Sequence, residues 1–461
     1  MTDSSHIFRQ YDIRGIVGVD LTTELTRSIG AAFGTQLRRS LEASGEKGRR
    51  FVVAVGWDNR PSSPELGEAL VAGLCSAGVD VVLLGTVPTP VTYWAEFTLG
   101  TDGAIQVTGS HNPPEWNGIK MTLRGLPFHG NEIQRLRESI AREDFTSGEG
   151  RREDVSLLDR YLQDVVRRFQ LSRPVRLVVD CGNGTASVVA VELLEALGAE
   201  VVPLYCESDG TFPNHHPDPS VDENMEELSD LVRRTGAELG VAFDGDGDRI
   251  GVVDESGHVI RGDLLLLVFA LDLLGRRGRG QLLLYDVKCS QAVPEVYDAA
   301  GGRSMMWKTG HSHMKEKMRE TGALIAGELS GHICFADDYL GIDDALYAAC
   351  RLVDLLASSS ESLSKRVASF PDYVSTPELR LEVGEVRKLE VVEAAVRYFR
   401  EHRSVVEVDG ARVLFDDGWA LLRASNTQPI LVTRFEGRTP EALAAIRAEV
   451  TAWLREEGID V

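Results

Sequence analysis

Thr101-Asp102-Gly103-Ala104-Ile105-Gln106-Val107-Thr108-Gly109-Ser110-His111-Asn112-Pro113-Pro114 reads as a short buried strand that runs into a polar turn. Ser110 then stands at the tip of a tight loop, just past the carboxyl end of a strand. Open α/β sheets bind their ligands at that place. Gly109 lets the backbone approach a ligand closely, and His111 is adjacent. Ser110 reads as a nucleophile that carries a phosphoryl group. A surface turn rich in Ser, Asn and Pro has the same composition, so the rest of the chain must decide.

The opening of this stretch recurs. Thr235-Gly236-Ala237-Glu238-Leu239 leads to a loop at 244–249, and Thr321-Gly322-Ala323-Leu324-Ile325 leads to a loop at 327–332. Each copy follows a strand–turn–helix–strand unit. The first has strands at 51–56 and 80–84 around a helix near 63–77. The second has strands at 175–180 and 200–204 around a helix ending near 197, and the third has strands at 281–285 and 303–307 around a helix. Such units build a parallel sheet with helices packed on it. The repeat is too long for a solenoid. It predicts three related α/β domains with mixed sheets, whose loops converge on one cleft. A fourth unit differs, with strands at 379–383, 404–408, 411–415, 420–423 and 430–435 and helices at 391–400 and 440–456. That is a smaller, mostly antiparallel α+β domain. The expected domains are 1–150 with the serine loop, 151–255 with a metal loop, 256–370 with a sugar loop and 371–461 with a phosphate loop.

A chain of 461 residues with 43% apolar content has room for several ordinary domains and large cores. Its net charge of −22 argues against nucleic acid or an anionic membrane as partner. An anionic substrate then needs local Arg, Lys, helix N-termini or a metal. The six cysteines are scattered singly, as reduced thiols of a cytoplasmic protein are. Cys289, beside Lys288, reads as a plain buried thiol. No basic start followed by an apolar run occupies residues 1–30, and the apolar run at 264–274 is broken by Asp272 and too short to span a bilayer.

Asp244-Gly245-Asp246-Gly247-Asp248-Arg249 places carboxylates at alternate positions, which share a face in an extended loop. Crowded carboxylates need a cation between them, and hard oxygen donors suit Mg²⁺. The rival reading, a calcium-binding EF-hand, fails because Arg249 stands where the loop requires Gly and the flanks read as strands. Gly327-Glu328-Leu329-Ser330-Gly331-His332 offers a carboxylate, a hydroxyl and an imidazole, a mixture suited to sugar hydroxyls. Arg423-Ala424-Ser425-Asn426-Thr427 can cradle a phosphate, with Arg434 on the next strand in support. Tyr11, Arg14, Lys120, Lys288 and His311 are smaller candidates from neighbouring turns and segments. Adjacent His215 and His216 cannot chelate a metal easily and read as loop structure.

The motifs Thr-Gly-Ser-His-Asn-Pro, Asp-Gly-Asp-Gly-Asp-Arg, Gly-Glu-Leu-Ser-Gly-His and Arg-Ala-Ser-Asn-Thr, one per domain and in this order, resemble those of the α-D-phosphohexomutases. The resemblance covers essentially the whole chain. Within the family the chain is similar to the bacterial phosphomannomutase/phosphoglucomutase group, through Tyr11-Asp12-Ile13-Arg14-Gly15, Asp286-Val287-Lys288 and Trp307-Lys308-Thr309-Gly310-His311. It departs from the patterns of phosphoglucosamine mutases, the alternative within the family. Gln428 stands where many members carry Glu.

The resemblance implies a heart-shaped four-domain enzyme that interconverts hexose 1- and 6-phosphates of mannose, glucose or both. Phospho-Ser110 donates to the free hydroxyl. The 1,6-bisphosphate then reorients and returns its other phosphate to Ser110. The serine phosphate, Asp244, Asp246 and Asp248 hold Mg²⁺, and Arg249 offsets phosphoryl charge. His111, Lys120, Arg14 and His332 are implied around the reacting atoms. Glu328 and Ser330 read the sugar, Lys288 and His311 add phosphate and sugar contacts, and Tyr11 lines the cleft. Arg423, Ser425, Asn426, Thr427 and Arg434 grip the distal phosphate, and rotation of the last domain opens and closes the site. A hexose 1,6-bisphosphate activator and a monomeric or weakly dimeric enzyme with a small phosphosugar as its partner are expected. The rival classes are a metal-dependent phosphatase and a non-catalytic phosphosugar-binding protein.

Overall fold

The computed structural model describes residues 5–46, 48–425 and 428–459. The chain forms two compact units. One holds the chain up to Gly262 together with Ser330–Ser364, and the other holds Asp263–Leu329 together with Lys365 onward.

The first unit contains two mixed sheets built alike. In the first, Gly103–Val107, Val52–Trp57 and Asp80–Thr86 run parallel in that spatial order, with Arg152–Asp154 beyond them. Trp116–Leu123 then adds antiparallel to Gly103–Val107, and Ile13–Ile16 adds antiparallel to Trp116–Leu123. In the second sheet, Leu239–Phe243, Arg176–Asp180 and Glu200–Leu204 are parallel, and Ile250–Asp254 is antiparallel to Leu239–Phe243. The strands of the repeated stretch therefore sit at the same sheet position in both domains, which places residues 108–114 and 244–249 at equivalent strand ends. In the third copy Arg303–Trp307, Leu282–Asp286 and Ile325–Gly327 are parallel. Ile333–Phe335 and Ile342–Asp343 form an antiparallel pair within the first unit. Gly103–Val107 and Leu239–Phe243 are buried along their whole length, as strands inside sheets covered on both faces are.

Helix Thr23–Ala43 starts where the Thr22 hydroxyl caps Leu25 N at 3.2 Å. It buries Ile29, Phe33, Leu37 and Leu41 on one stripe, at helical spacing. It crosses helix Ser63–Ser76 closely. A Cβ at Gly30 would lie 2.2 Å from Leu70 O, and one at Gly73 would lie 2.0 Å from Arg27 O. The C-terminal sheet is antiparallel, with Ile430–Gly437 between Gly418–Ala424 and the edge strands Val374–Ser375 and Leu379–Glu382. Helices Arg387–Arg400 and Pro440–Glu456 close its core over Phe399, Phe435 and Trp453. Among the described residues no helix is long and apolar enough to cross a membrane.

Candidate active site

Ser110 takes a left-handed backbone conformation, with φ of 50°. Non-glycine residues seldom adopt it, and they keep it only when the surroundings enforce it. The enforcement comes from Asp58 and Arg60, which follow strand Val52–Trp57. Asp58 Oδ2 accepts from Thr108 Oγ1 at 2.7 Å and from Gly109 N at 3.1 Å. The fully buried Arg60 guanidinium donates to the carbonyls of Ser110, Asn112 and Pro113 at 2.6 Å each and to Trp116 O at 3.2 Å. Sequence reasoning missed both residues. The signal was Asp58-Asn59-Arg60 in the first polar turn after a repeat's strand.

The Ser110 hydroxyl donates to Asp244 Oδ2 at 3.1 Å and lies 3.1 Å from His111 Nδ1. Burial, then the positive charges of Arg249, Arg14 and Lys120, hold the His111 imidazole well below its usual pKa. A neutral imidazole therefore faces the serine. The metal-type loop is a tight turn rather than an extended segment. Asp244 Oδ1 accepts from the backbone N of Gly247, Asp248 and Arg249 at 3.0, 3.1 and 3.1 Å. Gly247, at φ of 77°, permits this curl.

The curl converges the carboxylates of Asp244, Asp246 and Asp248, whose ligand atoms lie within 4.8 Å of one another, all buried. Asp246 Oδ1 has no hydrogen-bond partner. Burial and the charges of Asp246 and Asp248 push the Asp244 carboxyl well up. Converging buried carboxylates, one with an orphaned oxygen, fit a hard metal ion.

Lys120, on strand Trp116–Leu123, reaches these carboxylates. Its ammonium donates to Asp246 Oδ2 at 2.7 Å and to Asp248 Oδ2. Burial opposes its charge, but the three aspartates outweigh burial and raise its pKa. On the carboxylate side, burial is outweighed by Lys120 and His332, and Asp248 is held well below its usual value. His332 Nε2 lies 3.3 Å from Asp248 Oδ1 and 3.3 Å from Arg249 Nε, and its Nδ1 lies 3.0 Å from Ser330 Oγ. Gly331 seats this segment, since its carbonyl accepts from Ile250 N at 3.1 Å. Arg14, on Ile13–Ile16, donates to Asp12 at 2.7 Å and adds positive charge at His111 and Lys120. Tyr11, half-buried, precedes Asp12. One compact unit thus assembles Ser110, His111, Lys120, Arg249, Ser330, His332 and the aspartates.

The second unit holds the remaining candidates. Glu328 Oε1 accepts from Gly310 N at 2.5 Å, one residue before His311 opens helix His311–Thr321. Lys288 Nζ lies 2.9 Å from Glu378 and 3.9 Å from Asp286. The Lys288 ammonium lowers the Glu378 carboxyl to about 2. Arg423 donates to Asp409 Oδ2 at 2.6 Å, and the same oxygen accepts from Thr309 N at 3.1 Å. Buried Lys388 donates to the carbonyls of Ser425 and Gln428 at 2.7 and 3.0 Å, and Gln428 N donates to Ser425 Oγ at 3.2 Å. Asn426 and Thr427 lie outside the described residues. Arg434 donates to Ser375 Oγ at 3.3 Å. Lys388, Asp409 and Glu378 were not foreseen, because each supports a candidate outside its own local motif.

Comparison with known proteins gives the family of the chain. Models of the phosphoglucomutase/phosphomannomutase alpha/beta/alpha domains I, II and III match residues 5–147, 159–257 and 261–373, and a model of the C-terminal domain matches 378–452. A phosphomannomutase/phosphoglucomutase of Pseudomonas aeruginosa is 46% identical over 442 residues, covering 96% of this chain and 94% of its own. A phosphoglucomutase of Neisseria gonorrhoeae is 41% identical, covering 96% of this chain and 95% of its own. A crystal structure of a phosphoglucomutase/phosphomannomutase family protein from Burkholderia thailandensis superimposes with a TM-score of 0.91 at 43% identity, covering 99% of this chain and 98% of the other. With all its domains matched and its relatives similar over nearly their full length, the chain belongs to the phosphoglucomutase/phosphomannomutase family.

Proposed function

We propose that this enzyme is a hexose phosphate mutase that works through a phosphoserine at Ser110. The observation that carries the reading is the Ser110 hydroxyl held 3.1 Å from Asp244 and 3.1 Å from His111, beside three converging buried carboxylates, of which Asp246 keeps an unpartnered oxygen. The phosphoryl group on Ser110 passes to the free hydroxyl of a hexose 1- or 6-phosphate. The P–O bond to the serine breaks as the bond to the sugar oxygen forms, and the hydroxyl proton leaves to a base. The bisphosphate, turned end for end, then returns its other phosphoryl group to Ser110.

Asp244, Asp246 and Asp248 would hold Mg²⁺ together with the serine phosphate, and the ion would offset charge on the phosphoryl group. The chain's own groups do the rest. Neutral His111 takes the serine proton when Ser110 is the acceptor. Lys120 and Arg249 supply fixed positive charge, and His332, oriented by Ser330 and Asp248, exchanges a proton with the sugar. Glu328 accepts from sugar hydroxyls, Lys288 and His311 contact the substrate, and Arg423 with Ser425 binds the phosphate that is not reacting. Positioning and electrostatics supply most of the rate in phosphoryl transfer. A hexose 1,6-bisphosphate serves as activator by loading Ser110.

The test is a coupled assay of mannose and glucose phosphates, with a trace of the 1,6-bisphosphate and Mg²⁺. Ser110→Ala is expected to abolish interconversion while leaving the fold intact. Full turnover in that variant, or steady release of free phosphate by the wild type in place of isomerised sugar, rejects the mutase reading.

A further inference from the structure

Away from the carboxylate cluster, the first unit brings two sulfurs together. Cys181 follows strand Arg176–Asp180 and Cys206 follows strand Glu200–Leu204, and the two strands pair with Asp180 opposite Leu204. Left-handed residues bend both segments past the sheet edge, with φ of 50° at Gly182, 57° at Asn183 and 50° at Tyr205. The Sγ atoms lie 3.2 Å apart. A disulfide of about 2.05 Å therefore requires an approach of roughly 1.2 Å, within the reach of small side-chain and loop adjustments. Cys181 is buried and Cys206 is partly exposed. Cys206 also lies 3.3 Å from the carbonyls of Val179 and Leu204.

The loop after Cys181 leads directly to the site. Thr185 N and Thr185 Oγ1 both donate to Gly245 O at 2.9 Å, between Asp244 and Asp246. Asn183 O accepts from Asn59 Nδ2 at 2.7 Å, between the Asp58 and Arg60 that shape the serine loop.

We propose that Cys181 and Cys206 form a reversible oxidation site. A hydroperoxide converts them to an intramolecular disulfide, and the resulting shift of residues 181–185 slows the reaction at Ser110. The accessible Cys206 thiolate attacks one peroxide oxygen, the O–O bond breaks, and Cys206 becomes a sulfenic acid as hydroxide leaves. The Cys181 sulfur then attacks the Cys206 sulfur, the S–O bond breaks and water leaves. With hydrogen peroxide, two thiols and one oxidant give one disulfide and two waters. Cys206 is the partly exposed sulfur that a peroxide can reach, and Cys181 is the buried one that can only follow. This matches the order of attack. Disulfides of this transient kind are the ones that reducing compartments use for sensing.

The test treats the full-length protein with hydrogen peroxide, alkylates the remaining thiols and reads the digest by mass spectrometry. A linked peptide pair containing Cys181 and Cys206 is expected, with a several-fold fall in turnover, and dithiothreitol should reverse both. Cys206→Ser and, independently, Cys181→Ala should yield no linked pair and should keep their turnover under the same treatment. Absence of the pair in the wild type, or equal inactivation of the variants, overturns the proposal. A linked pair with unchanged turnover overturns its coupling to the site. The effect on turnover rests on the mutase reading, whereas the linked peptide is read by mass alone, so the two failures are distinguishable.

Discussion

Lys120 brings its ammonium between Asp246 and Asp248, where burial has removed the water that would otherwise solvate all of them. Removing one partner of such a group leaves uncompensated buried charge, a loss of about 3–5 kcal/mol. Lys120→Met should therefore lower the unfolding midpoint in the presence of a chelator. Added Mg²⁺ should recover more of the midpoint in the variant than in the wild type, because a second cation then replaces the lost one. Equal recovery in both would mean that the aspartates do not share one cation site. Asp344 presents a different case, a buried carboxyl held by hydroxyls and a backbone amide. It caps helix Ala345–Ala357 through Tyr347 N at 2.9 Å and accepts from Tyr161 and Tyr339. Burial raises its pKa from 3.8 to about 6. The folded chain thus keeps a proton that the unfolded chain has released. Its contribution is whole below about pH 4 and is lost as pH climbs through about 6, on the order of 3 kcal/mol. Asp344→Asn should flatten the decline in stability between those pH values, read from urea midpoints. An unchanged decline would assign it to other groups.

The elements that carry the site were legible where local pattern and tertiary role agree. Gly103–Val107, Leu239–Phe243 and Ile325–Gly327 each join a short apolar run to a glycine-containing polar loop, and the shared Thr-x-Gly or Thr-Gly opening marks them as copies. Strand Ile13–Ile16 was not legible. It has too few residues to show alternation, and its partner Trp116–Leu123 lies about a hundred positions away. Shorter separations, of 50, 50, 37 and 14 positions, still hid Asp58, Arg60, Lys388 and Asp409, whose work is to hold backbone or guanidinium groups that the sequence shows only singly. The tight fit of one loop on another was equally invisible, because it depends on an atom that is missing. A Cβ on Gly245 would lie 2.3 Å from Ser110 O, a backbone atom that Arg60 already fixes. Gly245→Ala should then push the serine loop away from Asp244. A misplacement of about 1 Å costs roughly a hundredfold in rate. Turnover should fall by that order with a near-native circular dichroism spectrum. Activity within a few-fold of wild type would show that the serine loop gives way without consequence.

At the scale of the molecule, a chain of net charge −22 that handles an anion gathers positive groups at its candidate loops, Lys120, Arg249 and Arg14 in one unit and Lys288, Arg423 and Lys388 in the other. The second unit joins two parts of the chain that the family models treat as separate domains, and the joint is hydrophobic as well as polar. Trp419, wholly buried, packs with Val287 and Leu421, donates from Nε1 to Glu436 at 2.7 Å and lies under the Arg412 guanidinium at 3.9 Å. Arg412 in turn donates to the carbonyls of Val287 and Cys289 at 2.6 and 2.9 Å, and Glu436 accepts from Gln291 N at 2.8 Å. The turn that carries Lys288 therefore rests on the C-terminal sheet. Truncating a buried Trp costs about 3–5 kcal/mol, and here it also removes one partner each from buried Glu436 and buried Arg412. Trp419→Ala should lower amide protection in both segments of the second unit, 282–293 and 411–437, while protection in strands Val52–Trp57 and Leu239–Phe243 stays at the wild-type level. Hydrogen exchange read by mass spectrometry separates the outcomes. Loss confined to 411–437 would show that the third and fourth domains open independently, and equal loss in all these strands would show that the two compact units unfold as one.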